Sequence, residues 1–549
     1  AIILWLVLAS ALPLSLFLMS FFNLDLLLTD FTENRNLPFR QFFYSAAASI
    51  SEIAKSSWPP VILAGAILSS ALFYFLPKFI ERYVSSRTAK VIYCILSLGI
   101  YLPYSLISLI FDHSSLEKLR RGVRVIYCPK ESVALLKNLV SPSERGIKLH
   151  PGVFISKEQE TKHFLVVATI GSGKTQLIFP MVDQIRARND RMIVYDRKGD
   201  YCESFGEEPG VAILSPFDRR SLGWDIGADI NTTILAEEFA SALIPIKGGD
   251  KDSVWIEAAR DLLTGVIKFL QAENARDWGF SDLVEILREK ESVIGCSKIY
   301  HTGALQTLGA EGGGDDRQTS SVFLSLRTAL RRVEYLAQAW SGDGEKLSLR
   351  EWVGDRGHKI RTIIVGGNPR YSGLDNLVVT QIFNLIYSEV LSLDDSRSRR
   401  IWSINDEAGS QPKIPMMLNA LTEGRSKGLR VICAVQSVSQ IRSCYGKDGA
   451  EIWFNSFGTL LAGRVGDSET ASFLAKSFGV NRIEKISTSV QGDSSRVSHS
   501  LNSSNDPALL DSDFLSIPSP SLSVGLYFWL RISGWPAARL LYQIKKPCH

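Results

Sequence analysis

With 549 residues, 45% hydrophobic and 21% charged, the chain can bury the cores of two or three domains, and neither a collagen-like nor a disordered composition fits it. Its 61 basic and 57 acidic residues leave a formal net charge of +4, too small to mark a nucleic-acid binder by bulk charge. Seven scattered cysteines (Cys94, Cys128, Cys202, Cys296, Cys433, Cys444, Cys548) form no CxxC pair, which suggests neither a disulfide framework nor a zinc site and fits a reducing compartment.

Three apolar stretches come first, at 1–22, 59–77 and 91–111. Each approaches the ~20 residues that cross a hydrocarbon core, and three are too many for a cleaved signal peptide. The first residue is Ala rather than Met, so an earlier span is not excluded. Basic clusters lie between the second and third stretches (Lys78, Arg82, Arg87, Lys90) and after the third (Lys118, Arg120, Arg121, Arg124). The positive-inside tendency wants both on one side, which a span between them forbids. Either one stretch is re-entrant or one cluster breaks the tendency, and the downstream domain is expected to face the cytoplasm.

Next, Phe164–Val167 reads as a short buried strand that runs straight into Ala168-Thr169-Ile170-Gly171-Ser172-Gly173-Lys174-Thr175 and then a helix. Small residues at 171–173 let successive backbone N–H groups converge on phosphate oxygens. Lys174 would reach the β- and γ-phosphates, and the Thr175 hydroxyl would ligate Mg²⁺. Ala168 stands where the GxxxxGK[ST] pattern has its first glycine.

The stretch from about 232 to 350 is rich in helical runs, Ile234–Leu243, Trp255–Gln271 and Ser321–Ala339, and reads as an all-helical insert. Residues 309–318 are expected to be a flexible loop within it. Arg327, Arg331 and Arg332 either touch substrate phosphates or form a solvated helix face, and the second reading is preferred.

Strands are predicted near 163–168, 191–196, 211–216, 360–366, 401–405, 430–435 and 459–465, with helices between them: a doubly wound α/β pattern. The strand at 401–405 ends in Asp406 and Glu407. Asp406 suits a Mg²⁺ site and Glu407 a base for the attacking water. The strand at 430–435 ends at Gln436, on the edge where parallel sheets gather ligand contacts. Its amide would meet the γ-phosphate or the water, or simply face solvent. Arg425, in Thr422–Gly428, is either an arginine finger for a neighbour's nucleotide or a plain helix-end cation. The Ser-rich segment 488–507 is expected to be mobile, with a closing pair of strands at Ser523–Ile532 and Ala538–Ile544. The seven histidines are dispersed, and His150 and His163 read as ordinary loop or strand-edge residues. No internal repeat is visible.

ATIGSGKT, RMIVYDRKGDY (191–201), ILSPFDRR (213–220), VWIEAARDLL (254–263), WSINDEAGSQPKIP (402–415), EGRSKGLR (423–430) and AVQS (434–437) together resemble the conjugative coupling proteins of type IV secretion systems, the TraD-like branch of the RecA/FtsK-type motor ATPases. The match runs from about residue 120 to the end. It implies a RecA-like P-loop domain (161–231 and 351–549) with an all-α insert (232–350), a connector (112–160) and preceding transmembrane helices (1–111). It also implies ATP and Mg²⁺ as ligands and a homo-hexamer at the bacterial inner membrane. Such a ring passes a relaxase-bound DNA strand, and sometimes protein effectors, to the secretion channel. Lys174, Thr175, Asp406, Glu407, Gln436 and Arg425 fall on matching positions. Asn405 is more polar than the family's strand end, and three apolar stretches exceed its usual two spans. Two other readings stand beside this one: a motor of the same fold that exports only protein, and a membrane scaffold stabilised by nucleotide. DNA-stimulated hydrolysis separates the first, and the presence of Glu407 argues against the second.

Overall fold

The structure is a computed structural model that describes residues 117–246, 253–306, 316–340, 344–355, 359–490 and 497–544. The three apolar stretches predicted to span a membrane lie outside these residues. Among the described residues no helix is long and apolar enough to cross a membrane.

Ten strands form the central sheet: β1 (Val125–Ile126), β2 (Phe164–Val167), β3 (Arg191–Asp196), β4 (Val211–Leu214), β5 (Thr362–Gly366), β6 (Ile401–Asn405), β7 (Leu429–Val435), β8 (Thr459–Ala462), β9 (Leu526–Ile532) and β10 (Ala537–Tyr542). Their order across the sheet is β1-β10-β9-β8-β2-β7-β6-β3-β5-β4. The strands from β8 to β4 are all parallel. The hairpin β9–β10 then runs antiparallel along β8.

Parallel strands sit between helical layers and are apolar on both faces. Thus Phe164 and Val166 pack into one layer and Leu165 and Val167 into the other, all four buried. The helix that follows β2, α1 (Lys174–Ala187), covers one face with Leu177, Ile178, Met181, Val182 and Ile185. Ile147, Leu149, Val153 and Ile155, from the hairpin before β2, join the same layer. On the other face lies Ser372–Ser392, which buries Val379, Ile382, Phe383 and Ile386.

Between β4 and β5 the chain leaves the sheet. Helices Thr233–Leu243, Ser253–Asn274, Phe280–Arg288, Lys290–Tyr300 and Asp316–Trp340 lie between these two strands. The neck of this helical segment is closed by a two-residue parallel pairing of Gly223–Trp224 with Lys346–Leu347. Beside it the buried Asp229 carboxylate accepts from Trp224 Nε1 at 2.7 Å, Ser348 Oγ at 2.7 Å and the amides of Leu349 (2.9 Å) and Arg350 (3.1 Å). Burial raises its pKa to about 6 against the pull of those four donors.

Four expectations change. Most of the loop expected at 309–318 lies outside the described residues, but the last insert helix already begins at Asp316. Arg332 does not belong to a solvated face: its guanidinium donates to the Leu243 carbonyl at 2.6 Å, closing the end of a helix, whereas Arg327 and Arg331 are exposed. The Ser-rich 488–507 segment, expected to be mobile, is largely strand. Val480–Val490 and Val497–Pro507 pair antiparallel in register, and Glu117–Arg121 adds a third strand. Backbone pairing satisfies the amides of such a ribbon whatever the polarity of its side chains, so no apolar alternation announced it. Finally, His163, read as an ordinary loop or strand-edge residue, does lie at the start of β2 but is fully buried.

Candidate nucleotide site

The loop between β2 and α1 turns on two glycines in the left-handed region, Gly171 (φ 71°) and Gly173 (φ 82°). A β-carbon at 173 would also sit 2.3 Å from Leu526 Cδ2, so glycine is required there twice over. Ala168, the departure from the loop pattern, is accommodated by another glycine. A β-carbon at Gly463 would come within 2.9 Å of the Ala168 methyl, so the absence of a side chain at 463 leaves that methyl its space. The loop is tied to both flanking strands: Ala168 N–H donates to Val435 O at 3.1 Å, and Thr169 N–H to Arg464 O at 2.8 Å. Ser172 Oγ donates to Thr169 O, while Ile170 projects into solvent.

Lys174 folds back over the loop, its ammonium donating to Ala168 O at 2.7 Å and Thr169 O at 3.0 Å. Burial lowers its pKa to about 8, with Asp406 and Glu407 pulling the other way. A buried ammonium crowned by carbonyls has a strong preference for an anionic partner.

The sheet order explains how the remaining residues meet this loop. β7 lies directly beside β2, and β6 is next, so the carboxyl ends of three adjacent parallel strands present the loop, Gln436, and Asp406 with Glu407. Lys174, Asp406, Glu407 and Gln436 line one cleft, together with Ser410 and Gln440.

Asp406 is buried, and burial raises its pKa while the nearby Thr175 hydroxyl, a bond from the Tyr201 phenol and the charge of Lys174 oppose the rise. Tyr201 Oη donates to Oδ2 at 3.2 Å, but buried Oδ1 has no donor in hydrogen-bonding geometry. A buried carboxylate oxygen with a spare lone pair, beside a threonine hydroxyl, fits Mg²⁺. No cluster of three or more His, Cys, Asp or Glu ligands occurs among the described residues.

Sequence reasoning gave no role to the segment after β3. The Asp196 carboxylate accepts from the amides of Gly199 (2.8 Å), Tyr201 (3.0 Å) and Cys202 (2.8 Å), fixing the turn that Gly199 makes at φ 90°. That turn delivers Lys198 Nζ to Glu407 Oε1 at 2.5 Å and Arg197 Nη1 to Ser410 O at 2.8 Å. The signal was present in DRKGDY, an acid at a strand end with glycine three residues on.

Arg425 is not brought to this site. Its Nε donates to Thr161 Oγ1 at 3.1 Å and its Nη2 lies 3.6 Å from Glu158 Oε1. Thr161 precedes β2 and Arg425 precedes β7, so both lie at the amino edge of the sheet. A strand length, about 13 Å at ~3.3 Å per residue, separates that edge from the phosphate loop.

A family model described as the type IV secretion-system coupling protein DNA-binding domain matches residues 148–540. Coupling protein TraD of Escherichia coli (strain K12) is 24% identical over 359 residues, which cover 64% of this chain and 48% of TraD. A conjugal transfer protein TraG of Agrobacterium fabrum (strain C58 / ATCC 33970) is 26% identical over 176 residues, 29% of this chain and 26% of the relative. The chain thus spans about half the length of the first relative and about a quarter of the second. Among solved structures, the bacterial conjugative coupling protein TrwBdeltaN70 in its unbound monoclinic form is similar with a TM-score of 0.62 at 22% identity, covering 78% of this chain and 95% of that one. TrwB in complex with ADP and Mg²⁺ gives a TM-score of 0.61 at 21% identity, over 78% and 95% of the two chains. At these identities the two structures establish the shared α/β fold.

Proposed function

The chain belongs to the family of type IV secretion-system coupling proteins, and from that premise we propose that it is an ATPase of the bacterial inner membrane that uses hydrolysis to recruit DNA with its relaxase and move it to the secretion channel. The observation that carries the reading is the meeting of Lys174, Asp406, Glu407 and Gln436 in one cleft at the carboxyl edge of the sheet. The amides and carbonyl-held ammonium of 168–174 bind the phosphate chain. Thr175 and Asp406 would hold Mg²⁺, which when bound would supply charge neutralisation to the phosphate chain. Glu407 orients the attacking water and accepts its proton, and Gln436 senses the γ-phosphate.

The proposed assembly is a homo-hexamer. Arg425, half exposed and at the opposite edge from its own site, has the placement that a residue serving a neighbouring subunit's nucleotide needs. The proposed layout places the membrane region at 1–111 and a connector at 112–160. The nucleotide domain takes 161–231 and 351–549, and the helical insert 232–350.

Steady-state hydrolysis by the purified protein, with and without single- and double-stranded DNA, tests the proposal. DNA should raise the rate. Hydrolysis indifferent to DNA in a verified oligomer would point to a motor that exports only protein. Failure to bind ATP would remove the motor altogether.

A further inference from the structure

The 2.5 Å contact between Lys198 and Glu407 occupies an oxygen of the one carboxylate that the ATPase reading, on which this inference rests, assigns to activating water. A carboxylate held by an ammonium at that distance cannot use the same lone pair to accept a proton from water.

Three features make the contact a built one. Asp196 accepts three backbone N–H bonds from residues 199–202, which sets the course of the turn that carries Lys198. Arg197, its neighbour, bonds the Ser410 carbonyl, so the turn grips the 407–410 segment at two points. The two partners also differ in exposure: the Glu407 side chain is 16% exposed and that of Lys198 57%. The carboxylate is therefore the fixed half of the pair, and the lysine reaches in from solvent and is free to leave.

We infer that Lys198 is a latch on Glu407: the ion pair persists when nucleotide fills the site and restrains hydrolysis until the ammonium is drawn off the carboxylate. Movement of the turn bearing Arg197 and Lys198 opens the latch by breaking that ion pair. No bond other than the ion pair is broken or formed. Lys198 is a positioning residue, and Glu407 remains the group that meets water.

The latch is tested in two ways on the full chain. Without nucleotide, amine acylation followed by mass spectrometry reads the pair directly. Glu407→Gln should raise the labelling of Lys198 severalfold while other lysines keep their rates, and equal labelling in the two proteins would overturn the pair. With Mg–ATP and no DNA, Lys198→Met should raise kcat about fivefold, the factor corresponding to roughly 1 kcal/mol of ion pairing, with nucleotide affinity changed much less than kcat. The charge-retaining Lys198→Arg should give back most of the restraint. A fall in kcat for Lys198→Met would make Lys198 a phosphate ligand rather than a latch, and an unchanged kcat would also overturn the proposal. Both of those outcomes leave wild-type hydrolysis, and so the ATPase reading, intact. Wild-type protein that binds Mg–ATP without hydrolysing it would instead remove both.

Discussion

Tyr201 and Asp406 belong to different strand–helix units more than two hundred residues apart, yet the phenol donates to Oδ2 of the carboxylate at 3.2 Å inside the protein. The Tyr201 ring is stacked on Phe179 of α1, centroids 4.6 Å apart and planes within 5°. The phenol is thus held by packing, and its hydroxyl favours the ionised form of the buried acid, against the effect of burial. Tyr201→Phe keeps the stack and loses the bond, which by itself is worth ~1 kcal/mol or somewhat more to a charged acceptor. Asp406 then becomes easier to protonate and binds Mg²⁺ less well. The Mg²⁺ concentration needed for half-maximal nucleotide binding should rise roughly fivefold, the equilibrium equivalent of ~1 kcal/mol. An unchanged Mg²⁺ requirement would show that Tyr201 serves packing only.

Lys174 and Glu407 line the same cleft, but their loss should be felt at different steps. Lys174→Ala removes a buried cation whose present partners are the carbonyls of Ala168 and Thr169. Nucleotide affinity should fall by roughly 10- to 100-fold, the equivalent of one charged hydrogen-bonding group. Glu407→Gln keeps the shape and should leave binding nearly intact while hydrolysis drops about 10²- to 10⁴-fold, the usual contribution of a positioned base. Fluorescent-nucleotide titration and phosphate release separate the two effects. A Gln variant that hydrolyses normally would assign the base elsewhere.

Much of this architecture could be read from the chain because parallel strands announce themselves as continuous apolar runs. FLVV at 164–167 and RMIVYD at 191–196 are observed within a residue or two of their expected bounds. The acids at 406 and 407 and the amide at 436 were legible because each follows directly on such a strand, and the parallel sheet puts all strand ends on one edge. What escaped notice depends on side chains meeting across the sequence. Lys198 reads as a turn lysine until β3 is known to lie beside β6, and Tyr201 as one more aromatic until α1 is packed against it. The 480–507 hairpin escaped because its stabilising contacts include long backbone pairing, which leaves no periodic mark on a Ser-rich stretch.

Arg425 offers a prediction about assembly. Its partners Thr161 and Glu158 are both at the amino edge of the sheet, and its side chain is half exposed. If it completes a neighbour's site, Arg425→Ala should keep nucleotide affinity and lose hydrolysis by roughly 10³-fold or more. Mixing that variant with Glu407→Gln protein should then restore part of the activity. In mixed rings, an intact Arg425 from one variant faces an intact Glu407 from the other. Two inactive proteins that stay inactive when shown to co-assemble would assign Arg425 to the Thr161–Glu158 contact alone.

His163 makes a prediction about acid. The ring is wholly buried at the start of β2, in the left-handed region (φ 56°), and joins two other elements. Nε2–H donates to Leu421 O at 3.1 Å, and the Val431 amide donates to Nδ1 at 3.0 Å, an arrangement that requires the neutral ring. Burial lowers its pKa to about 4; the Leu421 carbonyl opposes this, and Arg430 and Arg425 add to it. The unfolded chain takes up this proton near its ordinary value of about 6.5, so as pH falls the unfolded state is favoured first. The contribution of the neutral ring is fully present above that pH and is lost progressively between about 6.5 and 4. Below about 4 the folded state binds the proton too, and the loss stops at no more than roughly 3 kcal/mol. His163→Gln cannot titrate. It should be less stable than wild type at pH 7.5, and the gap should narrow as pH falls through this window. Urea midpoints measured in half-unit steps of pH read that difference directly, and parallel curves for the two proteins would mean that another group controls the acid limb.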